Sequence, residues 1–188
     1  DLGRERPMRR LLQGEVGSGK TVVAALAICQ AVEAGRQAAL LVPTETLAEQ
    51  HLRTLDVLLA PVGIAPVLVT GRIGATERDR RRMALQSGTS SVAIGTQALL
   101  FEREAFSRLG LVVVDEQHRF GVEQRQALAD RATDAGEDVA AHLLYMTATP
   151  IPRTLAITLY GDLDRSVISE LPPGRTPVKT SFITERHR

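Results

Sequence analysis

Eight consecutive residues, Gly14-Glu15-Val16-Gly17-Ser18-Gly19-Lys20-Thr21, satisfy the pattern G-x-x-x-x-G-K-[ST] in full. Each residue type has a chemical reason. Glycines let backbone N–H groups close round phosphates, and the helix that follows adds positive potential at its N-terminus. The Lys20 ammonium can reach the β- and γ-phosphates, and the Thr21 hydroxyl can ligate Mg²⁺. A second chemical pair, Asp115-Glu116, ends the apolar run Leu111 to Val114. Phosphoryl transfer needs one carboxylate to hold Mg²⁺, largely through water, and a second group to position or deprotonate the attacking water. Asp115 suits the first role and Glu116 the second. His118 follows closely, but no second His or Cys lies at ligand spacing, so a coupling role through hydrogen bonds suits it better than metal ligation. The chemistry these residues could do is binding and hydrolysis of a nucleoside triphosphate.

Composition bounds what can position them. The 188 residues give room for one α/β domain or a tight pair of small ones. Hydrophobic residues at 44% and charged residues at 24% match a soluble globular domain and exclude disorder. The net charge of +1 advertises no nucleic-acid partner. Within the basic total, 21 arginines stand against two lysines, Lys20 and Lys179. Lysine at position 20 is therefore informative, because arginine's rigid fork cannot replace a compact ammonium reaching into a phosphate loop. A single cysteine, Cys29, excludes a disulfide framework, fits a reducing cytoplasm and reads as core packing. The longest apolar stretch, Val22 to Val32, spans 11 residues and cannot cross a bilayer. No membrane partner is expected.

Short apolar runs recur at Leu11-Leu12, Ala38 to Val42, Val67 to Val69, Val92 to Ile94, Leu111 to Val114 and Leu143 to Met146. Most lack alternation, as strands buried on both faces do. Helical patterns lie between them. Lys20 to Ala34 is apolar nearly all round and is expected to be covered on both sides. Thr44 to Ala60 carries one apolar stripe through Ala48, Leu52, Leu55 and Leu59, with Thr44 as its N-cap. Alternating strands and helices predict an α/β fold with a mainly parallel sheet and helices on both faces. Ligands then bind at the carboxyl ends of the strands, where the motifs fall. Residues 1–10 contain no element start, and residues 171–188 open on Leu171-Pro172-Pro173-Gly174-Arg175, which reads as a connector after a domain of residues 1–170.

The motifs taken together resemble a known family. A phosphate loop is followed by Val42 to His51, Thr70-Gly71, Gly95-Thr96-Gln97, Asp115-Glu116-Gln117-His118 and Thr147-Ala148-Thr149. That order is similar to the first motor domain of superfamily 2 helicases, a RecA-like P-loop NTPase fold. The stretches Met146 to Leu155, Tyr160 to Asp164 and Glu170 to Arg175 narrow the resemblance to bacterial ATP-dependent DNA helicases that remodel stalled forks and Holliday junctions in recombination and repair. Transcription-repair coupling translocases share the Thr147 to Leu155 run and stand second. A nucleotide-dependent binding switch is the alternative of a different class.

The resemblance implies ATP and Mg²⁺ as cofactors, with Gly14 through Thr21 binding ATP and with Thr21 and Asp115 on the metal. It implies DNA-backbone contacts from Thr44, Thr46, Thr70, Gly71, Gly95 and Thr96, although capping and turn duties, taken residue by residue, are the favoured explanation. Gln117, His118, Thr147 and Thr149 would couple the nucleotide site to DNA. Gln97 stands where many relatives have His, and Glu15 where many have Asp. The arginines at 72, 78, 80, 81 and 82 are interleaved with Glu77 and Asp79, so they read as a solvated helix face. By the same resemblance, a bacterial cytoplasmic, nucleoid-associated protein would carry an adenine-reading motif before Asp1, a second RecA-like domain with arginine fingers after Arg188, and a wedge domain that meets forked DNA. An arginine finger is worth roughly 10³ to 10⁵ in rate. The 188 residues alone are thus expected to bind nucleotide weakly and hydrolyse it negligibly, which a phosphate-release assay with and without DNA checks.

Overall fold

The computed structural model of the protein describes residues 1–3, 6–96, 99, 106–116, 140–149 and 163–170. Seven strands form one sheet: β1 (Arg9–Gly14), β2 (Gln37–Leu41), β3 (Val67–Val69), β4 (Val92–Gly95), β5 (Leu109–Asp115), β6 (His142–Thr147) and β7 (Asp164–Ile168). Their spatial order is β3-β4-β2-β5-β6-β1-β7. Every pairing is parallel, so all seven carboxyl ends lie on one edge. Six strands coincide with the apolar runs expected from the sequence. The seventh, β7, pairs among the described residues with β1 alone and mixes half-buried with exposed residues, as an edge strand does.

Alternate residues of the central strands feed two cores, one on each face. Leu40, Leu111, Val113 and Leu144 join Ala25 and Ile28 of α1 (Lys20–Glu33) and Ala48, Leu55 and Leu59 of α2 (Glu45–Leu59). Leu41, Val112, Val114 and Leu143 join Leu85 of α3 (Ala75–Gln86) on the other face. Helices therefore cover both faces, as the α/β pattern requires. The N-cap of α2 is Thr44, whose Oγ1 accepts from Leu47 N at 3.3 Å.

Two expectations need correction. Helix α1 is not covered all round: its inner residues Ala24, Ala25 and Ile28 are buried, whereas Val22, Val23 and Leu26 are exposed. An all-apolar helix has no polar face to reveal which side meets the sheet. The amino-terminal segment also contains an element start, because β1 begins at Arg9. Polar side chains hide that start: Arg10 is held by Asp1, at Nε to Oδ2 2.7 Å, and by Ser166 of β7 at 2.8 Å.

A buried glutamine and a half-buried histidine lock the sheet's amino edge. Gln37 donates to the carbonyls of Leu85 and Ser90, both at 2.8 Å, and accepts from Ser107 N and Arg108 N, both at 2.9 Å. His142 Nδ1 accepts from Met8 N at 2.8 Å. That bond requires an unprotonated Nδ1, and burial of the imidazole lowers its pKa from the ordinary 6.5. The unfolded imidazole takes up a proton below that value while the folded one resists. Stability from this site is full above about 6.5 and declines as pH falls below it. The melting temperature should drop between pH 7.5 and 5.5, and His142→Asn, which keeps an acceptor for Met8 N, should reduce that drop.

Candidate functional site

At the end of β1 the chain turns through residues 15–19 into α1. Ser18 N donates to Glu15 O at 3.1 Å, and Gly19 caps the helix at φ 93°, a left-handed conformation that favours glycine. Lys20 Nζ donates to Gly14 O at 2.6 Å and to Glu15 O at 2.8 Å. Ser18 Oγ is buried and has no hydrogen-bond partner among the described residues. Backbone N–H groups at a helix start, an ammonium and an orphaned hydroxyl are what a bound phosphate group would satisfy.

Two strands away, β5 ends at Asp115, level with Met146 of β6, while Gln13 of β1 is level with Thr147. The acidic pair and the phosphate loop thus flank β6 from either side. Burial lowers the Lys20 pKa, and the charges of Asp115 and Glu116 oppose that shift. The three groups therefore share one electrostatic neighbourhood. The chain leaves the sheet through a left-handed Glu116 at φ 54°, and Glu116 N donates to Asp115 Oδ1 at 3.0 Å. A non-glycine residue in that region carries backbone strain. The other carboxylate oxygen, Asp115 Oδ2, lies 2.8 Å from His51 Nε2 of α2.

Donor chemistry bears on the metal. Among the described residues no cluster of three or more His, Cys, Asp or Glu could form an all-protein cage. Mg²⁺ does not need one, since it keeps several waters and takes one or two protein oxygens beside substrate phosphates. Thr21 at the start of α1 and Asp115 at the end of β5 fit that role.

Thr147 is fully buried, and its Oγ1 lies 2.9 Å from Thr149 Oγ1 and accepts from Thr149 N at 3.2 Å. Gln13, just before the phosphate loop, donates to Thr149 O at 3.3 Å and accepts from Arg165 Nε at 3.0 Å. Gln13 and His51 belong to the site's framework, yet sequence reasoning passed over both. Their partners lie 136 and 64 positions away, beyond any spacing rule. Gln117, His118 and Gln97 lie outside the described residues.

The residues assigned to DNA gather on the other half of the same edge. Thr44 and Thr46 are exposed at the start of α2, after β2; Gly71 is exposed after β3; Gly95 ends β4 and Thr96 follows it. Thr70 is buried at 4% exposure, so its hydroxyl is not on the surface. Gly95 has a packing reason of its own, because a Cβ there would stand 2.5 Å from the carbonyl oxygen of Val69 on β3. Gly71 N donates to Glu45 Oε1 at 2.7 Å, and Arg72 pairs with Glu45 at 3.1 Å. The arginines of α3 fit a solvated face only in part: Arg80 is exposed, but Arg78, Arg81 and Arg82 are half-buried, Arg81 Nη1 donates to Leu68 O of β3 at 2.7 Å, and Arg78 Nε is buried without a hydrogen-bond partner among the described residues. Hydrogen bonds from Arg80 and Arg81 hold the Glu77 carboxyl down to about 2, and Arg82 pairs with Asp79 at 3.8 Å.

A parallel sheet with a phosphate loop ending one strand and paired carboxylates ending another defines a RecA-like P-loop nucleotide-binding domain. Residues 6–157 match the DEAD/DEAH box helicase family, and the chain belongs to it. Membership implies nucleotide use. The chain is 52% identical to the ATP-dependent DNA helicase RecG of Mycobacterium tuberculosis (strain ATCC 25618 / H37Rv), over 97% of this chain and 26% of that protein. It is 50% identical to the protein of the same name from Escherichia coli (strain K12), over 100% of this chain and 27% of that one. It thus spans about a quarter of the length of these relatives. A structure of RecG bound to a three-way DNA junction superposes with a TM-score of 0.77 at 44% identity, over 95% of this chain and 23% of that one. The helicase MrfA bound to DNA, at 20% identity and a TM-score of 0.67 over 86% of this chain and 25% of that one, shares the fold. No helix among the described residues is long and apolar enough to cross a membrane.

The Thr44 cap gives a direct check on the local geometry. Thr44→Ala should cost about 1 kcal/mol of stability, and Thr44→Ser should restore most of it, as read by urea denaturation.

Proposed function

We propose that the chain is the nucleotide-binding motor domain of an ATP-dependent DNA helicase that remodels branched DNA. The observation that carries this reading is the placement of the phosphate loop after β1 and of Asp115-Glu116 at the end of β5, on either side of β6 along one carboxyl edge. High identity to the RecG proteins supports the choice of branched DNA.

In this reading the backbone N–H groups of residues 14–21 and the Lys20 ammonium bind the triphosphate of ATP. Thr21 and Asp115 would hold Mg²⁺, whose contribution when bound would be to neutralise charge on the phosphates. The Glu116 carboxylate orients the attacking water and accepts its proton. Thr44, Thr46, Gly71 and Thr96 grip the DNA backbone without reading sequence, while Thr70 and Gly95 shape the loops that carry them. Thr147 and Thr149, with Gln117 and His118, relay between the two halves of the edge. A second RecA-like domain closes over the nucleotide, and a wedge domain meets the fork, in a bacterial cytoplasmic setting.

Lys20→Ala and Glu116→Gln in the native polypeptide carrying these residues separate binding from chemistry. Lys20→Ala should weaken ATP binding at least tenfold. Glu116→Gln should leave binding within about threefold but lower fork-stimulated hydrolysis at least a hundredfold. Both should abolish fork reversal with fork binding within about twofold of the parent. Fork reversal that survives either substitution overturns the assignment.

A further inference from the structure

One contact crosses between the two halves of the carboxyl edge. His51 belongs to α2, the helix that starts at Thr44 on the DNA side, and its Nε2 lies 2.8 Å from Asp115 Oδ2 on the nucleotide side. An ionised carboxylate has only acceptors, so the ring nitrogen donates. Both side chains are largely buried, at 12% and 15% exposure. The same helix is also tied at its first residue: Glu45 Oε1 accepts from Gly71 N at 2.7 Å, and Glu45 pairs with Arg72 at 3.1 Å. One rigid helix therefore touches the loop after β3 with its first turn and the acidic end of β5 with its second.

We infer that His51 is a positioning residue, fixing the orientation of the Asp115 carboxylate and carrying the state of the DNA-side loops to it through α2. The inference rests on the helicase reading given above. Three features support it. Asp115 has two oxygens with different duties: Oδ1 is fixed by its own chain through Glu116 N, and Oδ2 is fixed by His51. A carboxylate held at both oxygens has its rotation stopped, and a metal ligand needs that. Gly71 N is the kind of backbone donor that a DNA phosphate would take, and it is held by Glu45, an anion of the same helix. A phosphate arriving there displaces the Glu45 carboxylate and frees the first turn of α2. Ala48, Leu55 and Leu59 are fully buried, so a change at the first turn passes through close-packed side chains to His51 in the next turn.

The test uses His51→Ala and His51→Gln in the native polypeptide, with ATP hydrolysis followed at varied ATP and Mg²⁺, with and without fork DNA. With His51→Ala, fork-stimulated kcat should fall about tenfold, the Mg²⁺ concentration for half-maximal rate should rise at least threefold, and KM for ATP and fork affinity should stay within about twofold. His51→Gln keeps a donor at similar reach and should recover kcat to within threefold of the parent. Unchanged kcat and Mg²⁺ dependence in His51→Ala overturn the inference, as does a parallel loss of kcat, KM and fork binding that His51→Gln does not rescue. If His51→Ala does not fold, ring-nitrogen NMR of the unsubstituted protein decides: a hydrogen-bonded His51 Nε2–H that shifts on adding fork DNA supports the inference, and one that does not move overturns it. Should the unsubstituted protein itself show no fork-stimulated hydrolysis, the helicase reading fails instead.

Discussion

Parallel pairing is the constraint on which everything else in this domain rests. Each strand leaves the sheet on the same side as its neighbours, so residues far apart in sequence meet along one edge without any contact being arranged for them. Gln13 and Thr147 share a register position, and Asp115 sits opposite Met146 one strand further on. The order β3-β4-β2-β5-β6-β1-β7 then sorts the edge. The phosphate loop and the acidic pair fall at the ends of β1 and β5 on either side of β6, and the loops proposed to meet DNA fall on β3, β4 and β2.

The cost of this arrangement is that a parallel sheet must be buried on both faces. The chain meets it with two cores separated by the pleat, fed by neighbouring residues such as Leu40 and Leu41 or Leu143 and Leu144. Uninterrupted apolar runs are the sequence signature of that burial, and six strands were legible for this reason. Asp164-Arg165-Ser166-Val167-Ile168 was not, because an edge strand buries one face only and its polar residues mask the pattern. The same physics explains Arg9 and Arg10, strand residues that read as a tail until Asp1 and Ser166 are seen to hold Arg10.

The candidate site divides along a similar line. Lys20, Thr21, Asp115 and Glu116 could be named from the sequence because their chemistry demands particular residue types at fixed spacing. The frame that orients them could not. Gln13, with two hydrogen bonds, and His51, with its bond to Asp115, meet partners brought near by the fold, and such bonds leave no periodicity. Thr44 illustrates the intermediate case: helix capping and phosphate contact both ask for a hydroxyl at that place, and the cap is the duty whose geometry is visible.

The docking of Lys20 on its own loop has a consequence for what can enter. Its ammonium already has two neutral carbonyl partners, Gly14 O and Glu15 O, so an incoming group must offer better than they do. An anionic oxygen adds direct charge–charge attraction to its hydrogen bond with the ammonium, which a neutral carbonyl cannot offer. A phosphate oxygen therefore wins the exchange, whereas a hydroxyl or an amide of the same size does not. The loop is a latch keyed to negative charge, closed by its own backbone.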